Sequence, residues 1–447
     1  MDIEQYLKTV TEQIRCDKAK DMVARELMDH INDQKEVYIE EGIVEEEAYK
    51  KAVNEMGDPV EVGIALDRIH RPKMDVTMLI LVLILSLVGT TLQYLMITNM
   101  GNGFYQYNLH TQIIYVIVGF LTMMLFCFID YTSIGLYGKL GAVAMILLLL
   151  VSATNGVLID GQKGYLRFLG TTISLHQLVF LYVPLFGGIL YSYKNKGKIG
   201  FFKSCLWLGI PVLLTFKILE LSLSISLFLI MSLQMLFVTK RGWFSEFKKA
   251  KALIITIIMG LPIAIITYLA FYGATYQKAR LLSVINTKSE FSYLLNLLRK
   301  LLFSSNLIGK STKGIEASVY GLPSDYIVTY IFSYYGIVAA IILLSVLGVF
   351  IYKVIINSTR QKNQLGLAIG IGCSLALTIQ IILYVLVNLT ILPTIAVYLP
   401  LFSYGGTGTI VTYALIGILM SIYRYQNVLA RNPIIVRKRN VSKESSI

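Results

Sequence analysis

The chain has 447 residues, of which 55% are hydrophobic and only 15% charged, with a formal net charge of +13. Charged residues make up roughly 25% of ordinary soluble domains, so a soluble globular protein is excluded and an integral membrane protein is indicated. The charge is uneven: residues 1–75 hold 19 of the 27 acids and 11 of the 40 Lys and Arg, a net −8, whereas the remainder holds 8 acids and 29 basic residues, a net +21. Two regions of opposite balance predict two domains.

Residues 1–73 read as a small helical domain. Val10, Ile14, Val23, Leu27 and Ile31 recur at three- and four-residue steps, the spacing of one apolar helix face. Gly42 stops one helix, Glu45 to Met56 forms another, and Gly57-Asp58-Pro59 leads into a short helix from Val60 to Ile69. The pattern Gly42 to Ala48 with Met56 to Pro59 resembles the prefix domain found before several bacterial permeases. No signal peptide is expected, because the first 75 residues are polar and helical in pattern.

Ten apolar runs follow, at 77–99, 111–130, 133–153, 174–193, 202–219, 221–239, 252–273, 326–352, 364–388 and 405–425. Each approaches the about 20 residues needed to cross a bilayer core. The pair at 202–219 and 221–239 is separated only by Glu220 and a few serines. Lys and Arg cluster at 194–203, 240–251, 353–362 and in the tail 431–447, while the short loops 100–110 and 389–404 have none. Basic loops stay inside, so both termini and the prefix domain are expected in the cytoplasm. Cys16, Cys127, Cys205 and Cys373 are scattered, with neither metal spacing nor a disulfide pattern.

The loop at 274–325 breaks the charge rule. It carries Lys278, Arg280, Lys288, Arg299, Lys300, Lys310 and Lys313 against Glu290, Glu316 and Asp325, yet long loops cross regardless of charge. A basic outside surface suits an anionic partner, either lipid headgroups or a phosphorylated substrate. Nucleic acid is not expected as a partner.

Past residue 75 each acid can be weighed alone. Glu220 and Asp325 sit at outside ends of apolar runs, where ionisable groups are costly and mark function. Asp325 follows Leu322-Pro323 and precedes an apolar run, so helix capping is its ordinary role. The segment YLPLFSYGGTG, residues 398–408, concentrates Pro400, Ser403, Tyr404, Gly405 and Gly406 before the last run. Non-helical backbone at membrane depth is tolerated where it lines protein or a wet cavity, and this segment reads as such a wall.

These motifs, taken in order, resemble the SEDS family of bacterial cell-wall proteins, typified by FtsW and RodA. The "PFxSYGGS" signature appears as Pro400, Phe402, Ser403, Tyr404, Gly405, Gly406 and Thr407. Ahead of it stand Gln380, Asn388, Leu392 and Pro393. A "YQxxR" element appears as Tyr276, Gln277 and Arg280, a glycine-lysine element as Gly309-Lys310, and the "LPE…D" element as Leu322, Pro323 and Asp325, with Gly336 eleven residues on. The fold implied is all-α, about ten transmembrane helices at 74–430 with the large outside loop at 274–325.

The resemblance implies a peptidoglycan polymerase that joins lipid II, a disaccharide-pentapeptide on undecaprenyl pyrophosphate, into glycan strands, with a class B penicillin-binding protein as transpeptidase partner. Asp325 takes the place of the essential aspartate and general base. Arg280 and Lys310 are candidates to offset pyrophosphate charge, with Gln380, Asn388, Ser403, Tyr404, Gly405 and Gly406 as further substrate-binding candidates. A divalent cation, Mg2+ or Mn2+, is one further way to supply positive charge.

The chain departs from the family pattern in several places. The "RWxxLG…QPSExxK" region corresponds to Leu166 to Gly170 and Ser174 to Gln177, without the Trp, Pro, Glu and Lys. The "QPDxG" element is reduced to Glu220, and the acids before Gly336 are replaced by Phe332-Ser333-Tyr334-Tyr335. His176 reads as a core histidine or as a polar group of its span. Two other functions stay open: a non-catalytic binder of lipid II that regulates wall synthesis, and a flippase for lipid-linked precursors.

Overall fold

The computed structural model describes residues 2–100, 108–159, 162–168, 171–245, 247–286, 292–311 and 322–426. The chain divides into two compact units, one built on Met1–Asp75 with short later segments, the other on Val76–Arg360 and Leu365–Ser421.

The described residues of Met1–Asp75 form four helices, α1 (Ile3–Glu12), α2 (Asp17–Glu40), α3 (Glu45–Glu55) and α4 (Pro59–His70). Tyr6, Val10, Ile14, Val23, Leu27 and Ile31 form its core. Asp58 caps α4 by accepting from the Val60 and Glu61 N–H groups at 2.9 and 3.0 Å, with Pro59 at the first helical position. Asp67, 6% exposed, accepts from the Arg15 N–H at 3.0 Å, tying α4 to the end of α1.

Among the described residues the second unit carries ten helical stretches long and apolar enough to cross a membrane, which makes the chain multi-pass. They include α5 (Val76–Met100), α6 (Leu109–Phe128), α7 (Thr132–Asn155) and the Leu175–Ser192 stretch, which contains α8 (Leu175–Leu178) and α9 (Tyr182–Ser192). The rest are α10 (Gly197–Ile218), α11 (Leu221–Lys240), α12 (Ala250–Tyr272), α17 (Ile337–Thr359), α18 (Gln364–Asn388) and α19 (Gly406–Arg424). Shorter helices lie between α12 and α17: α13 (Thr275–Leu282), α14 (Tyr293–Phe303), α15 (Leu322–Asp325) and α16 (Ile327–Tyr335). Buried residues are concentrated on α18 and α19, whose spans are 67% and 78% buried, whereas α12 is only 6% buried. The Leu175–Ser192 stretch and α11 follow at 61% each, so these four spans form the core, and α12 is exposed along nearly its whole length.

Two features differ from the sequence reading. The apolar run at 326–352 is two helices, not one span. Gly336, at φ 95°, turns the chain between α16 and α17, and the crossing helix is Ile337–Thr359. Hydropathy runs through this break, so composition alone joins the two. The second feature is an antiparallel sheet within the segment 157–174. β1 (Val157–Ile159), β2 (Gln162–Phe168) and β3 (Thr171–Ser174) pair in the order β1-β2-β3, with Tyr165 opposite Ser174 and Arg167 opposite Thr172. The expected basic tail at 431–447, and Leu169 and Gly170, lie outside the described residues.

Candidate functional site

The last helix turn before α16 is held from three sides. From α18, Asn388 Nδ2 donates to the Asp325 carbonyl at 2.8 Å, its Oδ1 accepts from the Thr329 N–H at 3.1 Å, and the Tyr384 hydroxyl accepts from the Ile327 N–H at 2.8 Å. From α5, Gln93 Nε2 donates to the Pro323 carbonyl at 2.6 Å and to the Phe402 carbonyl at 2.8 Å. From the signature segment, Ser403 Oγ donates to the Ser324 carbonyl, and the Tyr404 N–H donates to the Pro323 carbonyl at 3.2 Å. Ser403 also accepts from the Leu399 N–H at 2.8 Å. The carbonyls of Pro323, Ser324 and Asp325 and the Ile327 N–H are thus all engaged, which fixes the turn on which Asp325 sits.

Capping, the ordinary role for Asp325, belongs to Asn388 and Tyr384. No side chain at the residue preceding α16 caps it, and the Asp325 carboxyl lines a polar cavity of about 360 Å3 instead. His176, Glu220, Ser222, Ser226, Gln380 and Tyr404 share that cavity. Burial pushes the Asp325 carboxyl up to about 7, against a hydrogen bond from Ser324 that pulls it down, and the charge of Glu220 adds to the rise. A carboxyl poised near neutrality is suited to accept a proton in a reaction.

A second cavity, of about 490 Å3, adjoins the first. Glu220, Ser222, Ser226, Leu383 and Ile395 border both. Its walls are apolar, with Leu221, Ile225 and Leu229 of α11 and Leu269 of α12 facing Leu392 and Pro393. Arg280 and Gln277 of α13 supply its polar rim. The Arg280 guanidinium is held by the Thr394 carbonyl, with contacts of 3.2 and 2.7 Å. Both volumes fall in the range of ligand sites, roughly 300–1,000 Å3.

The other expected site residues separate by role. Gln380 and Tyr404 line the polar cavity, while Asn388 and Ser403 are buried holders of the Asp325 turn. The Gly405 N–H donates to Gln112 Oε1 at 3.2 Å, and its φ of 150° favours glycine. A Cβ on Gly406 would come within 2.7 Å of the Tyr115 ring, so that position packs α19 against α6. Lys310 stands over the Tyr334 ring at 5.0 Å and is not among the described residues lining either cavity. Gln93, Tyr384, Tyr165 and Tyr398 were not singled out from sequence. A glutamine inside the apolar run 77–99 was the one available signal among them. Among the described residues no group of three or more His, Cys, Asp or Glu could hold a metal ion.

The model of the FtsW, RodA and SpoVE family, described as "Cell cycle protein", matches residues 72–428. The chain belongs to this family. The peptidoglycan glycosyltransferase MrdB of Escherichia coli K12 is 27% identical over 164 residues, 35% of this chain and 44% of that protein. An FtsW-named relative from Mesostigma viride is 27% identical over 171 residues, 36% of this chain and 41% of its own length. The chain thus spans less than half the length of these relatives. An FtsW-named glycosyltransferase of Geobacter sulfurreducens aligns more fully, 22% identical over 385 residues, 81% of this chain and 98% of that protein. Two solved structures share the fold. One, from a study of polymerization and crosslinking by a peptidoglycan synthase complex, has a TM-score of 0.62 at 17% identity, covering 79% of this chain and 99% of its own. RodA of Thermus thermophilus has a TM-score of 0.55 at 16% identity, covering 79% and 97%.

Proposed function

We propose that this family member is a peptidoglycan glycosyltransferase that polymerises lipid II at the outer face of the cytoplasmic membrane. The observation that carries the reading is the junction of two cavities: a polar chamber holding Asp325, and an apolar groove sharing five lining residues with it. A substrate with a sugar at one end and a long polyprenyl chain at the other needs both.

In this account the Asp325 carboxylate takes the proton from the acceptor sugar hydroxyl as that oxygen attacks the donor anomeric carbon. The bond from that carbon to the diphosphate oxygen breaks, and the diphosphate leaves on the polyprenyl chain. One base and one displacement invert the anomeric carbon. Arg280, on the groove rim, offsets charge growing on the leaving group. Lys310 is better suited to attracting the anionic lipid to the outside loop than to contact with the reacting atoms. Gln380 and Tyr404 offer hydrogen bonds to the sugars, and Asn388, Ser403, Gly405 and Gly406 hold the wall of the chamber.

The lysine- and arginine-rich loops favour an orientation with both termini and the helical prefix unit in the cytoplasm and the 274–325 loop outside. A class B penicillin-binding protein is the proposed partner, since the strands made need crosslinking. The test is incubation of the purified chain, alone and with such a partner, with lipid II. Glycan strands resolved on a gel support the reading. Binding of lipid II without strands supports a regulatory member instead.

A further inference from the structure

We propose that His176 is the residue of the polar chamber that holds a diphosphate group, taking up a proton from water as the anion enters. The proposal rests on the polymerase reading only for which lipid brings the diphosphate. Its logic begins with charge. A diphosphate ester is a multiply charged anion near neutral pH, and a buried anion is stable only when paired. The described lining of the chamber supplies two carboxyl groups, Asp325 and Glu220, and neither Lys nor Arg. Among those described residues His176 is the sole nitrogen base. An imidazole, with an ordinary pKa of about 6.5, is the side chain whose protonation responds to an arriving anion at neutral pH.

The fold builds this ring into place. α8 starts immediately after β3, so His176 leaves the sheet pointing into the chamber. β2 runs against the ring: a Cβ on Gly164 would stand 2.1 Å from His176 Cε1, 2.7 Å from Nδ1 and 2.8 Å from Leu219 Cδ2. A side chain at Gly164 therefore displaces both the imidazole and the residue before Glu220. The Tyr165 ring lies beside the imidazole, with centroids 5.4 Å apart. The Ser174 N–H donates to Thr407 Oγ1 at 3.1 Å, fastening β3 to the signature segment. Ser222 donates to Glu220 Oε1 at 2.6 Å, and Glu220 lines the same chamber as His176.

The titratable groups around the imidazole are few. They are Glu220 from the α10–α11 junction, Asp325 from α15, Tyr165 from β2, and Tyr398 and Tyr404 from the signature segment. Tyrosines stay neutral well above neutral pH, so they do not compete for the proton. Burial and like charge hold the Asp325 carboxyl high, and Asp325 must give up its proton to act as a base. His176 is the group left to gain one. His176 shares the chamber wall with Ser222 and Ser226, which border the apolar groove as well, so the imidazole can pair the anion while the prenyl chain runs into the groove.

The experiment measures binding, not turnover. The purified full chain in detergent, with chelator throughout, is titrated with a C15 prenyl diphosphate and with the matching C15 prenol. Calorimetry in two buffers of different ionisation enthalpy counts protons. Wild type is expected to take up as much as one proton with the diphosphate, and its affinity to fall towards tenfold per pH unit above pH ~7. His176→Gln should abolish the uptake, flatten the slope and weaken the diphosphate on the order of tenfold at pH ~6, while leaving the prenol unchanged. Gly164→Ala should weaken the diphosphate in the same selective way. His176→Lys should bind it tightly with no slope, and Asp325→Asn should keep the uptake. The proposal is overturned if His176→Gln retains the proton uptake, if Asp325→Asn removes it, if the prenol weakens equally, or if wild type fails to bind under chelator. Should wild type bind as expected yet make no strands from lipid II, the polymerase reading falls while this one stands.

Discussion

Asn388 grips both sides of Asp325: its amide nitrogen donates to the Asp325 carbonyl at 2.8 Å, and its amide oxygen accepts from the Thr329 N–H at 3.1 Å. One buried side chain thereby caps α16 and holds the preceding turn, which turns the Asp325 carboxyl to the chamber. Replacement by a leucine of similar volume leaves both backbone groups unpaired in a dry site. Each such group costs about 1–3 kcal/mol, so Asn388→Leu should lower the thermal midpoint in detergent by several degrees and reduce polymerisation at least as strongly as it reduces stability. A melting curve beside a lipid II assay measures both.

The pH dependence follows from the sign of the Asp325 shift. Its folded-state carboxyl, pushed up to about 7, is protonated and useless as a base at lower pH. At saturating lipid II the rate should climb through about pH 7 and level off above it. The same shift opposes stability on the alkaline side. The charged form is disfavoured in the folded protein, so wild type should lose stability as pH rises from the ordinary aspartate range towards 7. Asp325→Asn should remove that loss and melt higher than wild type at pH ~8, but not at pH ~4.

Ser403 and Tyr404 are neighbours with different tasks. Ser403 is 1% exposed and fixes the Ser324 carbonyl, whereas the Tyr404 hydroxyl bonds to the Asn108 backbone and its side chain lines the chamber. Ser403→Ala frees the turn, and a displacement of about 1 Å costs on the order of 100-fold in rate. We expect that loss in kcat, with KM little changed. Tyr404→Phe should act mainly on KM. Steady-state rates over a range of lipid II concentrations separate the two.

The two basic candidates of the outside loop are expected to differ. Arg280 rims the groove that joins the chamber, while Lys310 sits over Tyr334. Removing a charge that stabilises the leaving group costs about 3 kcal/mol, so Arg280→Ala should lower kcat/KM by ~100-fold. Lys310→Ala should lower it by less than about threefold, an effect that added salt erases. Paired assays at two ionic strengths decide it.

How far the sequence could be read follows from these residues. The ten apolar runs are visible because a bilayer imposes their length, and the order of motifs around Asp325 and Ser403 points to the family. What composition misses is geometry. Gly336 breaks an uninterrupted apolar run because its φ of 95° ends α16, a fact hydropathy does not encode. The sheet at 157–174 is short and flanked by helices, so its alternation of side chains is too brief to stand out. Polar residues in apolar spans, such as Gln93 and Asn388, were visible as anomalies, but whether they touch substrate or backbone depends on partners more than 60 positions away. Asn388 read as a substrate contact, and its buried bonds make it a holder of the turn. The clustering of His176, Glu220 and Asp325 is likewise set by three elements remote in sequence.

The most direct test of the account is lipid II polymerisation by purified wild type and Asp325→Ala at the same pH, above 7, with folding of both checked by their melting curves. The account predicts long glycan strands from wild type and none from a folded Asp325→Ala. Strands of normal length from a folded Asp325→Ala would contradict it.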